Sequence, residues 1–97
     1  MAKKITWSEL AVDRYRHVIQ YLLSEWTERE AVKFVNTVNT KLLLLSHFPN
    51  IGRRTSFNGT IRQLLLSKHN RLNYKIEKTR IVLLDIFDTR QEEKKKL

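Results

Sequence analysis

The chain has 97 residues and a net charge of +9, a size that makes one domain burying roughly 60–70% of the surface its unfolded form exposes. Hydrophobic residues are 41% and charged residues 30%, which reads as globular rather than disordered. The absence of cysteine excludes disulfides, thiolate metal ligands and a cysteine nucleophile, and suits a reducing cytoplasm.

Residues 3–7 read as a short strand. Thr6 or Ser8 then offers an N-cap, and Thr6-x-x-Glu9 matches a capping box. Tyr15, Val18, Ile19, Leu22 and Trp26 recur at three- and four-residue steps, which predicts an amphipathic helix over about 8–25. Thr27-x-x-Glu30 is a second capping box. It opens a stripe of Ala31, Phe34, Val35, Val38, Leu42 and Leu45 that should run to about His47 and stop before Pro49. The join near Trp26 and Thr27 is very short, so the helices should form an antiparallel hairpin.

Pro49-Asn50-Ile51-Gly52 is turn chemistry, and 53–59 reads as loop. The period then changes. Residues 60–67 are a strand candidate. Leu72, Tyr74 and Ile76 alternate with Asn73, Lys75 and Glu77, as in a half-buried strand. Lys78-Thr79 makes a tight connection. Residues 81–87 are almost continuously apolar, as expected of a central strand covered on both faces. A polar tail closes the chain over about 91–97. The apolar runs at 42–45 and 81–84 fall far short of the ~20 residues of a membrane span, and Ser8 and Glu9 break any secretion signal.

The resulting fold class is α+β: an N-terminal strand, an antiparallel helix hairpin, then a three-stranded antiparallel meander. The hairpin should cover one sheet face. The other should be partly open and carry Arg62, Lys75 and their neighbours. Trp7, Tyr15, Trp26, Phe34 and Tyr74 are expected in the core.

Charge is unevenly spread. Residues 1–48 hold seven bases and five acids, and residues 49–97 twelve bases and five acids. No acid occurs between Glu30 and Glu77, a span holding Lys33, Lys41, Arg53, Arg54, Arg62, Lys68, Arg71 and Lys75. Such a single-sign stretch attracts polyanions, whether RNA, DNA or an acidic protein. The three histidines are far apart, with no acid at ligand spacing, so neither a metal nor another cofactor is expected.

In its order of elements the chain resembles the RelE/ParE superfamily of type II toxin–antitoxin toxins. The matching pieces are Phe48-Pro49-Asn50-Ile51-Gly52-Arg53, Thr60-Ile61-Arg62-Gln63-Leu64, Asn70-Arg71-Leu72-Asn73-Tyr74-Lys75-Ile76, and Val82-Leu83-Leu84-Asp85-Ile86-Phe87-Asp88-Thr89-Arg90-Gln91. The resemblance implies a β-α-α-β-β-β domain and a cognate antitoxin. With both arginine positions of the RelE pattern filled, it implies first a toxin that inhibits growth by ribosome-dependent mRNA cleavage, as RelE-type ribonucleases do, and as the alternative one that poisons DNA gyrase, as ParE-type toxins do. A non-toxic binding relative is the third alternative.

RNA cleavage by a 2′-hydroxyl needs two proton transfers and a holder for the phosphate's growing charge. Arginine suits the last role, because its fork meets phosphate oxygens bidentately. The RelE pattern places arginines where Arg71 and Arg90 stand. It also places bases on the second strand, where Arg62 fits one position and Leu64 occupies the other. Its C-terminal tyrosine has no counterpart, since Lys94, Lys95 and Lys96 fill that stretch. Proton transfer would then fall to His69, a lysine or the ribosome. The candidate catalytic residues are therefore Arg71, Arg90 and His69, with Arg53, Arg54, Arg62, Lys68 and Lys75 as nucleic-acid contacts. Each has a plainer reading: Arg71 solvating an edge, Arg90 paired with Asp88, Arg62 solvated on its strand, His69 exposed in a turn. His47 should help end its helix. Asp85, within an apolar strand, either needs buried partners or orients an arginine on the open face.

Overall fold

The computed structural model describes residues 2–55 and 59–88. The elements are β1 (Lys4–Trp7), α1 (Glu9–Glu25), α2 (Glu28–His47), a 3-10 turn (Pro49–Ile51), β2 (Arg53–Arg54), β3 (Ile61–Leu65), β4 (Asn70–Ile76) and β5 (Arg80–Asp88). They form an α+β fold with one five-stranded sheet in the order β1-β5-β4-β3-β2. β1 pairs parallel with β5, and the other pairings are antiparallel.

Capping decides both helix starts. Ser8, not Thr6, caps α1: its Oγ accepts from the Ala11 N–H at 3.0 Å and donates to the Leu84 carbonyl at 3.0 Å. Thr6 cannot cap, because it is committed to β1 opposite Val82. Thr27 caps α2 by accepting from the Glu30 N–H at 3.1 Å. α2 ends at Phe48, whose N–H still donates to the Leu44 carbonyl at 2.9 Å, and Pro49 prevents a further turn. His47 Nδ1 lies 3.1 Å from the Leu43 carbonyl and so helps close that end.

Val18 and Leu22 of α1, and Phe34, Val38 and Leu45 of α2, are buried against Leu64, Leu72, Tyr74, Ile81, Leu83 and Ile86 of the sheet. Burying each large side chain contributes about 1.5–3 kcal/mol. Tyr15 packs between Trp7 and Phe34, at ring-centre distances of 5.0 and 5.8 Å. Trp26 departs from the expected core: it is 54% exposed. It is the C-cap residue, with non-helical backbone (φ −127°, ψ −128°) one residue beyond α1, and it lines a surface cleft rather than the core.

Two further features differ from expectation. Arg53 and Arg54 are not loop but a two-residue edge strand, paired with Gln63 and Arg62. β5 carries a bulge: Asn73 faces Asp85 while Tyr74 faces Leu83, so Leu84 is an extra residue. The inward phase runs Ile81, Leu83, then Ile86 and Asp88. This explains an apolar run too long for simple alternation. Only Val82 is buried on the second face, which is otherwise partly open.

Candidate anion-binding face

Register assigns the side chains of the sheet to its two faces. The rows Arg53–Gln63–Asn73–Asp85 and Leu65–Arg71–Phe87 lie on the side away from the helices, with Ile61, Lys75 and Val82 in a third row. Arg71 and Lys75 stand there because Leu72, Tyr74 and Ile76 take the inward positions of β4.

A hydrogen-bonded chain runs across this face. Arg71 Nη1 donates to Gln63 Oε1 at 2.9 Å, and Gln63 Nε2 donates to Asn73 Oδ1 at 3.0 Å. Arginine has no acceptor, so Gln63 must turn its oxygen toward Arg71 and its nitrogen toward Asn73. Lys75 lies 3.2 Å from Glu77, which also meets Arg80. Asp85 ends the first row, with Arg14 of α1 at 3.8 Å. β1 pairs only with the first part of β5, so α1 passes beside Asp85. A partly exposed pair of this kind contributes only about 0–1 kcal/mol.

Arg62 lies elsewhere than expected. Leu64 and Leu66 set the inward phase of this segment, and Arg62 shares it, facing Tyr74 across the ladder. Its Nη1 donates to the Gly52 carbonyl at 2.7 Å and the Asn50 carbonyl at 3.3 Å. Tyr74 completes this latch: its hydroxyl donates to the Pro49 carbonyl at 2.7 Å and accepts from the Gly52 N–H at 2.9 Å. Burial pushes the Tyr74 phenol above its usual range, against the opposing pull of the Gly52 N–H and Arg62. The latch holds β2 and its two exposed arginines against β3.

Lys68 and His69 occupy the β3–β4 turn, away from the Arg71 chain. They line a cleft of about 430 Å³ under the helix hairpin, with Leu22, Trp26, Phe34 and Leu66. The other histidines are also off the open face: His17 is exposed on α1 and His47 ends α2. Tyr15, Tyr21 and Tyr74 pack against or within the core. Arg90 lies outside the described residues. Among the described residues no cluster of three or more His, Cys, Asp or Glu side chains could hold a metal, and no helix is long and apolar enough to cross a membrane.

The open face thus gathers Arg53, Arg71 and Lys75 and leaves Arg54, which stands opposite Arg62, together with Arg62, Lys68 and His69 outside. Sequence reasoning missed Gln63, Asn73 and Arg14. The alternation in β4 marked Asn73 as outward, but only strand pairing shows that Gln63 stands opposite it.

Residues 5–93 match the family described as the ParE toxin of the type II toxin–antitoxin system parDE. The chain belongs to this family. This ParE-family chain is also similar to solved structures across nearly its whole length. One, described as the chromosomal ParDE system of P. aeruginosa, has 18% identity and a TM-score of 0.75, covering 90% of this chain and 96% of the other. A variant of the toxin RelE from E. coli, in the free state, has 15% identity and a TM-score of 0.63, covering 96% and 90%. The YoeB dimer from Staphylococcus aureus has 19% identity and a TM-score of 0.63, covering 88% and 94%. At these identities the likeness is one of fold. No curated protein matches the chain.

Proposed function

We propose that this toxin arrests growth by poisoning DNA gyrase, and that a cognate acidic antitoxin neutralises it by covering the open sheet face. One observation carries the choice of target. All three histidines and all three tyrosines lie off the face that bears Arg71, so among the described residues that face offers hydrogen-bond donors and positive charge, with neither an imidazole nor a phenol beside Arg71. Such a face suits stoichiometric binding. The ParE family match supports the same reading. An acidic antitoxin follows from charge, since a +9 chain gains both rate and specificity from a complementary partner.

Ribosome-dependent mRNA cleavage is the second reading. It is supported by Arg71, an outward cation of β4 whose fork can hold a phosphate. The deciding experiment adds the purified protein to two reactions. The first is gyrase with supercoiled plasmid, read for trapped double-strand breaks. The second is a reconstituted translation mix, read by primer extension of the mRNA. Trapped breaks with intact mRNA support the gyrase reading. New mRNA ends that require ribosomes, with gyrase unaffected, refute it and establish the other.

A further inference from the structure

The Arg71–Gln63–Asn73 chain has a direction, and the direction has a chemical meaning. Arg71 can only donate, which fixes the orientation of both amides. Each amide oxygen is already accepting within the chain. What remains outward is mostly donor: the second N–H of Gln63, both N–H bonds of Asn73, and the rest of the Arg71 fork. Two neutral side chains thereby extend the donor array of one cation across two strands. Arg53 opposite Gln63, and Lys75 two residues beyond Asn73, keep the surrounding field positive.

We propose that Arg71, Gln63 and Asn73 form a binding site for a phosphodiester group of nucleic acid. The proposal rests on the reading of this face as the target-contacting surface, and names the DNA held by gyrase as what the face touches there. The site lies mid-sheet. β4 has a strand on both sides along its length, and β3 is paired with β2 at Gln63, so at Gln63, Asn73 and Arg71 the backbone ladders have few groups to offer a visiting peptide. A peptide carboxylate would bring backbone N–H and C=O groups that need partners; a phosphodiester chain makes no such demand. Arg71 is flanked across the sheet by the exposed Leu65 on one side and the half-buried Phe87 on the other, apolar surface that a sugar or base can cover. Arg14 beside Asp85 offsets the one carboxylate in the row.

The test uses the full chain and a fluorescently labelled duplex DNA, without gyrase, read by anisotropy across a salt series. Gln63→Leu should weaken binding about tenfold, the loss expected of a hydrogen bond to a charged group. Its salt slope should be unchanged, because no charge is removed. Asn73→Leu should behave alike. Arg71→Ala should weaken binding and lower the slope by about 0.9. Gln63→Glu keeps the acceptor for Arg71 but removes the amide donor, so it should bind less well than wild type; this variant decides the matter if Gln63→Leu does not fold. A wild type that does not bind duplex overturns the proposal. So does unchanged affinity in Gln63→Leu and Asn73→Leu, or displacement of the duplex by poly-glutamate of equal charge. Gyrase poisoning without duplex binding refutes this site and leaves the target reading standing. Duplex binding through these residues without gyrase poisoning does the reverse.

Discussion

Replacing Gly52 with alanine forces a methyl group into the ring of Tyr74. An ideal Cβ on Gly52 would sit 2.5 Å from the Tyr74 hydroxyl oxygen, 2.6 Å from Cε1 and 2.9 Å from Cζ. The backbone itself is no obstacle, since φ −72° and ψ 145° suit any residue. The penalty is therefore steric. Tyr74 is fully buried and bonded at its hydroxyl, so the ring has little freedom to retreat. Overpacking of this kind costs about 1–3 kcal/mol. Losing the bond from the Gly52 N–H adds about 0.5–1.5 kcal/mol. The stiffer unfolded chain returns about 0.4–1 kcal/mol. Gly52→Ala should thus destabilise the protein by about 2 kcal/mol. For a chain of this size that is a fall of roughly 8–16 °C in Tm. Urea unfolding followed by circular dichroism measures it. In a Tyr74→Leu background, which opens the space, the same substitution should cost far less. A loss below about 0.5 kcal/mol in the wild-type background, or an equal loss in both, would refute the latch as described.

Ser8→Ala should cost about 0.5–2 kcal/mol in urea unfolding, because it removes the α1 cap and its bond to the Leu84 carbonyl. Tyr74 and Tyr15 are raised by burial, so the folded chain keeps protons that the unfolded chain loses. Stability should be unaffected below pH 10 and fall as pH rises above it; Tyr74→Phe should flatten that fall. Glu77 is held below the ordinary carboxylate value by hydrogen bonds from Arg80 and Lys75. Its contribution is present above about pH 4.5 and lost as pH drops further, so Glu77→Gln should reduce the slope of an acid titration below pH 4.5 and change little at neutrality. Arg71→Ala should relieve growth arrest on induction while leaving the urea midpoint of the purified protein unchanged.

The helices were legible because each carries its own instructions: a cap, a stripe and a stop at Pro49. Tyr74 was legible as inward because Leu72 and Ile76 share its phase. What depends on pairing was not. β2 has only two residues and no pattern to read. The bulge at Leu84 shifts the phase within an apolar run that looks uniform in one dimension. Arg62 looked like a surface residue by type, yet Leu64 and Leu66 set a phase that turns it inward to the carbonyls of Asn50 and Gly52. At the candidate site, Arg71 and Lys75 were visible as outward cations. Gln63 and Asn73 come together only through the β3–β4 register.

The parallel pairing of β1 with β5 sets a timetable for the chain's synthesis. Lys4 finds its partner only when Arg80 exists, and Ser8 meets the carbonyls of Leu83 and Leu84. Closing so long a loop is entropically costly, and β5 is also the neighbour that β4 needs on one side. Until residues 80–88 are available, the helix hairpin lacks Ile81, Leu83 and Ile86 beneath it and β1 has no neighbour. The nascent toxin therefore completes its sheet only once β5 is available to both β1 and β4. A fragment stopped at Thr79 would have both ends of the sheet but nothing to join them.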